Sequence, residues 1–154
     1  APGAVIRMAN LGIENFLIAS SLVCAVAQRL VRRLCPECRE EAPLPEYVAD
    51  QLGLSRQEAH KHTIYRPQGC DLCYNTGYAG RLVICEVMPV TPEVRDVILR
   101  PDTQEGEIRA VAQKHGLRSL RQSGLEKLLA GETSVEEVLR VTTANDTAES
   151  AIDE

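Results

Sequence analysis

Tryptophan is absent from these 154 residues, phenylalanine occurs once and tyrosine four times. Without a set of aromatic faces there is no platform on which successive bases of a single strand could stack. Basic charge is also in short supply. The formal net charge is −5, so duplex nucleic acid, which needs clustered Lys and Arg, is excluded as a partner class. Long apolar runs are missing too. The longest, "FLIASSLVCAVA" (Phe16–Ala27), falls short of the ~20 residues that cross a bilayer, and it lacks the basic flank and cleavage site of a secretory signal. No G-x-x-x-x-G-K-[ST] occurs, so these residues contain no glycine-rich loop of the kind that cradles nucleotide phosphates.

Cysteine, by contrast, is plentiful. Six cysteines without a secretory signal point to a reducing compartment, where Cys-x-x-Cys reads as metal or redox chemistry before disulfide. Cys35 and Cys38 stand in "LCPECREE", and Cys70 and Cys73 in "GCDLCYNTG", with 31 residues between the two knuckles. Together they offer four thiolates, the closed tetrahedral set of a structural zinc site. The two-residue spacing lets backbone N–H groups turn toward the sulfurs. A redox dithiol and an iron–sulfur cluster are the alternative chemistries. The separation exceeds the ~15–20 residues of the usual two-knuckle pattern. It therefore implies a metal-clasped insertion with something folded inside. A closed set leaves no open coordination position, so no catalytic zinc is expected. His60 and His62 in "HKH" read as exposed helix residues, and His115 as a helix-terminus residue. Cys24 and Cys85 read as small core residues.

The hydrophobic pattern predicts a helix over 14–34. Its first half is apolar nearly all round, and Val23, Val26, Ala27, Leu30, Val31 and Leu34 follow one helical stripe. Arg29, Arg32, Arg33 and Arg39 fall off that stripe as a solvated face. A helix so apolar, in a chain without an initiating Met, leads to the expectation of a fragment of something larger. "SRQE" places Ser55 and Glu58 at capping-box spacing. "RLVICEVMPV" (81–90) is the best strand, read as buried on both faces, with Glu86 paired and Arg81 a candidate partner. Short helices follow, beginning with Thr91 as N-cap and Pro92 at the first helical position. Ser119 with Gln122 and Ser134 with Glu137 offer two more capping boxes. Residues 142–154 are polar and acidic without periodicity, hence expected to be disordered.

Three segments, "GAVIRMANLGIENFLIASSLVCAVAQRLVRRLCPEC", "CDLCYNTGYAGRLVICEVM" and "LAGETSVEEVLRVT", resemble the carboxy-terminal part of the type II secretion and type IV pilus assembly ATPases. The resemblance runs from Gly3 to about Val141. "AQRLVRRLCPEC" joined to C-x-x-C-x-x-T-G-Y-x-G-R is far more specific than bare knuckles. Val83 departs locally, where a small residue is common in the family.

The resemblance implies an α+β, mainly helical chain: the end of a P-loop ATPase domain, an inserted four-cysteine zinc subdomain and a carboxy-terminal helical module. The implied division is 1–34 as ATPase core, 35–80 as zinc subdomain, 81–90 as the strand returning to the core, 91–141 as helical tail and 142–154 as acidic tail. Cys35, Cys38, Cys70 and Cys73 would be structural zinc ligands. ATP and Mg2+ would belong to the full-length parent only, leaving this segment inactive alone and without catalytic residues. The parent would be a cytoplasmic hexamer, peripheral at the inner membrane, docked on an inner-membrane platform protein, with no nucleic-acid partner. Arg29, Arg32 and Arg33 would face a neighbouring subunit or an acidic partner surface. The competing class is a stand-alone four-cysteine zinc interaction module.

Overall fold

The computed structural model describes residues 1–52, 55 and 62–146. In chain order its elements are α1 (Pro2–Asn10), α2 (Asn15–Ser21), β1 (Cys24–Leu34), β2 (Glu40–Pro43), α3 (Glu46–Leu52) and β3 (Thr63–Arg66). A 3-10 turn (Asp71–Cys73) then leads to β4 (Tyr78–Pro89), α4 (Pro92–Ile98), α5 (Glu105–Lys114), α6 (Leu120–Leu129) and α7 (Val135–Asp146). β1 pairs with β4 and β2 with β3, as two two-stranded sheets. Among the described residues the chain is thus mixed α and β, with seven α-helices.

Two compact units form, Ala1–Gln28 with Cys85–Ser119, and Arg29–Ile84 with Leu120–Glu154. The first is built on Val5, Ile18, Met88, Val94, Ile98 and Ile108. Here α4 starts as the sequence predicts: Pro92 takes the first position and the Val94 N–H donates to Thr91 Oγ1 at 3.4 Å. The second unit is built on Leu44, Val48 and Ile64 together with Leu125, Leu128 and Val138. β2 and β3 run antiparallel there, with Glu40 opposite Arg66 and Pro43 opposite Thr63. The residues inside the long inter-knuckle stretch and the last two helices therefore share one core. α4 and α5 belong to the other unit, so the helical tail expected as one module over 91–141 is divided.

The helix expected over 14–34 is not formed. It ends as α2 at Ser21, and Cys24–Leu34 is strand. The predicted stripe splits accordingly: Val31 and Leu34 are buried, whereas Val23 is 80% exposed and Val26 58%. The physical reason is long-range pairing with β4, which outweighs a helical spacing that β-branched Val23, Val26 and Val31 satisfy equally well on a pleated surface.

β4 matches the expected strand but is buried on one face only. Ile84, Glu86 and Met88 point inward, and Val83 and Val87 are exposed. Period-two alternation produces this division. Glu86 is paired, though not with Arg81: it accepts from Arg109 Nη1 at 3.2 Å. The disorder expected from residue 142 is corrected as far as Asp146, where α7 ends. Thr142 is buried and its hydroxyl donates to the Val138 carbonyl at 2.7 Å, continuing the helix by a side-chain bond. The capping pair Ser55–Glu58 and His60 fall partly or wholly outside the described residues.

Candidate metal centre

Cys35 and Cys38 lie just past the end of β1, and Cys70 and Cys73 bracket the 3-10 turn. All four are free thiols, and their sulfurs lie within 4.8 Å of one another. The Cys35–Cys70 separation is 4.0 Å, Cys38–Cys73 is 3.8 Å and Cys70–Cys73 is 3.7 Å. Four ligands at a Zn–S distance of about 2.3 Å around a tetrahedral centre stand about 3.8 Å apart along each edge. A disulfide needs about 2.05 Å. The cluster therefore has the dimensions of a four-thiolate metal site.

Local backbone geometry creates this convergence. The Arg39 N–H closes a turn onto the Cys35 carbonyl at 3.0 Å, and the Asn75 N–H does the same to Cys70 at 2.8 Å. Tyr74 and Asn75 take left-handed conformations, with φ of 53° and 58°. Gly77 has φ +76°, and a Cβ there would meet Pro67 Cβ at 2.4 Å, so no larger residue fits. The reward is donors aimed at sulfur. The Gly77 and Cys70 N–H groups reach Cys73 Sγ at 3.2 Å each, and the Gly69 N–H reaches Cys38 Sγ at 3.3 Å. The Cys35 N–H donates to the Gly77 carbonyl at 3.0 Å, tying the two knuckles together.

The thiols respond differently to this setting. Burial pushes the Cys73 thiol up, but the N–H groups of Cys70 and Gly77 outweigh it and bring it down to about 6. Burial dominates at Cys38, with neighbouring thiols adding to it, and pushes its thiol up to about 12 against the single Gly69 donor. One sulfur thus favours the thiolate and another resists it. A divalent cation at the centre removes that conflict, because it stabilises every thiolate at once.

Two of the arginines expected on a solvated face serve the surroundings of the knuckles. Arg32 Nη2 donates to Glu137 at 2.9 Å and lies over the Tyr78 ring at 3.9 Å. Arg39 lies over Tyr65 at 4.4 Å and donates to the Gly131 carbonyl at 2.6 Å. Glu137 is 1% exposed. Burial pushes its carboxyl up, but hydrogen bonds from Arg140 and Arg32 more than reverse this and hold it at about 2. Sequence spacing assigned Glu137 to a capping box. Its own N–H does accept that role, donating to Ser134 Oγ at 3.4 Å, while the carboxylate is turned to the arginines. A carboxylate preceded by the buried-helix pattern of "SVEEVL" gave no sign of a partner so distant in sequence.

His62 is exposed and lies in no helix. His115 ends α5 as expected, 3.6 Å from Glu93. Cys24 is exposed and Cys85 half-buried, against the expectation of core burial. Among the described residues, the four knuckle cysteines are the one group of His, Cys, Asp and Glu with metal-binding geometry.

The matched family is described as "Type II/IV secretion system protein", and the match runs over residues 1–140, taking in both knuckles and the segments around them. The chain belongs to this family. Among relatives, it is 43% identical over 142 residues to the type II secretion system protein E of Aeromonas hydrophila, covering 92% of this chain and 28% of that protein. It is 39% identical over 140 residues to the type IV pilus assembly ATPase PilB of Myxococcus xanthus, covering 90% and 25%. Identity to the PilB of Thermus thermophilus is 40% over 140 residues, covering 90% and 16%. The chain spans about a quarter of the length of the first of the curated relatives it matches. Secretion and pilus members match it almost equally, so the shared motifs do not separate the two branches. Among the described residues no helix is long and apolar enough to cross a membrane.

Proposed function

We propose that this chain acts as the carboxy-terminal part of a hexameric motor ATPase that powers type II secretion or type IV pilus assembly. Its own contribution is a structural zinc site and part of the surface that meets a neighbouring subunit or the inner-membrane platform protein. The observation that carries the reading is the set of four sulfurs at tetrahedral spacing within a chain of this family. Cys35, Cys38, Cys70 and Cys73 hold the ion. Zinc supplies fixed charge and a rigid cross-link between the two knuckles, and does no chemistry on substrate. ATP and Mg2+ bind elsewhere in the longer motor, which works at the cytoplasmic face of the inner membrane. These residues carry no P-loop and contribute no catalytic group.

The test has two parts. Metal analysis of the purified chain should return about one zinc per chain, the content of a single four-thiolate site. A folded, metal-free chain with four free thiols defeats the zinc assignment. The isolated chain should leave Mg·ATP unbound in calorimetry, and the chain fused to the preceding part of a pilus or secretion ATPase should hydrolyse it. Tight Mg·ATP binding by the isolated chain overturns the division of labour.

A further inference from the structure

The strands that enter and leave the knuckles are bonded to one short segment, the turn between α6 and α7 and the first helical turn after it. Before the first knuckle, the Leu34 N–H donates to the Glu132 carbonyl at 2.9 Å. The Arg32 carbonyl accepts from Thr133 Oγ1 at 2.8 Å, and the Arg32 N–H donates to Glu137 Oε2 at 2.8 Å. After that knuckle, Arg39 reaches the Gly131 carbonyl. After the second knuckle, the Tyr78 hydroxyl meets Ser134 Oγ at 2.9 Å. No residue of this segment is a metal ligand. Yet it fixes the backbone just before Cys35, the Arg39 side chain just after Cys38 and the Tyr78 side chain next to Gly77.

The segment is built for close approach. Gly131 has φ +70°, and a Cβ there would stand 2.6 Å from the Tyr65 ring. Glu137 is buried and its carboxylate accepts from the Arg32 backbone N–H, Arg32 Nη2, and Arg140 Nε and Nη2 at 2.8 to 3.0 Å. A buried carboxylate satisfied in this way holds its donors in one geometry, and losing a donor leaves an uncompensated charge. Thr133 and Ser134 are buried as well. Polar groups at this depth specify a single arrangement rather than a sliding apolar contact.

We propose that the segment from Gly131 to Glu137 is a latch for the metal clasp, and that the two are reciprocally coupled: metal at the knuckles holds α6 and α7 in place, and the latch holds the metal. Glu137 is its central positioning residue, acting through the Arg32 backbone on Cys35. Coupling of this kind is symmetric in free energy, so whatever loosens one end loosens the other. The inference rests on the zinc reading above.

The experiment starts from the zinc-loaded chain, with metal content measured first. Zinc transfer to a chromogenic chelator is followed in the wild type, in Glu137→Gln and in Leu128→Val. The last trims the same unit's core by one methylene and leaves every side-chain hydrogen bond of the latch in place. Amide exchange is followed by mass spectrometry before and after extraction. We expect Glu137→Gln to release zinc on the order of tenfold faster than the wild type, as befits ordinary coupling energies. We expect Leu128→Val to release it more slowly than Glu137→Gln when both are compared at equal loss of melting temperature. We also expect extraction from the wild type to raise exchange across residues 120–142. The latch is overturned if the two variants release zinc alike, or if extraction opens the knuckles while exchange across 120–142 stays unchanged. Both of those outcomes leave the zinc reading standing. A chain that never contained zinc removes both.

Discussion

The two compact units solve the same stability problem by different means. The unit containing α1, α2, α4 and α5 has twelve buried apolar residues in its core. The unit containing the knuckles, α3, α6 and α7 gathers eight in its cluster among the described residues and also buries Val31, Leu34, Ile84 and Leu120. The first leans on apolar burial, with Glu86 and Arg109 as a partly buried ion pair. The second adds four thiols, two arginine–tyrosine stacks and the Glu137 carboxylate with its two arginines. An apolar core is supplemented there by directional bonds, each with a specific geometry to lose. The contrast makes the second unit the one that pH, metal and single polar substitutions should reach.

The largest separation should come from Cys70→Ser. Structural zinc contributes ~10–16 kcal/mol in small zinc peptides, as much as the whole stability of an ordinary domain, about 5–15 kcal/mol. The variant should lose protease resistance across residues 29–84 and 120–146 and keep it across 85–119. Uniform resistance, or uniform loss, would erase the contrast between the units.

Acid should act next, through Glu137. Its folded-state pKa of about 2 lies below the ordinary 4.5. The resulting stabilisation is therefore fully present above pH 4.5 and is lost as pH falls toward 2, a swing of about 3 kcal/mol. Proton competition for the thiolates also releases metal in this range, so the informative quantity is the stability gap between wild type and Glu137→Gln in urea. That gap should close between pH 4.5 and 2. A gap that does not change with pH would show that the carboxylate is held by shape rather than charge.

The smallest effect belongs to the apolar unit. Thr91→Ala removes the acceptor of the Val94 N–H at the start of α4 and the side-chain bond to Glu93 and should cost about 1 kcal/mol, read as a lower melting temperature with zinc content unchanged. Zinc loss in this variant would mean that the two units do not fail separately.

What the sequence disclosed followed distance along the chain. The knuckles were legible because three residues of spacing and a following Gly-rich turn encode them locally. The Thr91 cap and the strand around Ile84 were legible for the same reason. β1 carries a helical signal because Val26, Leu30 and Leu34 satisfy a helical period as well as a pleated one, and the deciding partner, β4, is remote. The roles of Arg32, Arg39 and Glu137 were hidden for the same cause. Each is an exposed-type residue by composition, and its partner lies about a hundred positions away.

That remoteness has a consequence for how the chain is made. The Arg32–Glu137 bond joins residues 105 positions apart. At a synthesis rate of about 5–20 residues per second, Cys35 emerges roughly 5–20 s before Glu137 has even been added. Cys73 precedes Glu137 by 64 positions, so for about 3–13 s at that rate the knuckles can gather their four sulfurs without the latch. Nascent chains would then meet zinc first as a loose chelator, with exchangeable metal and reactive thiols. Only after the last helix is complete would the ion become slow to leave.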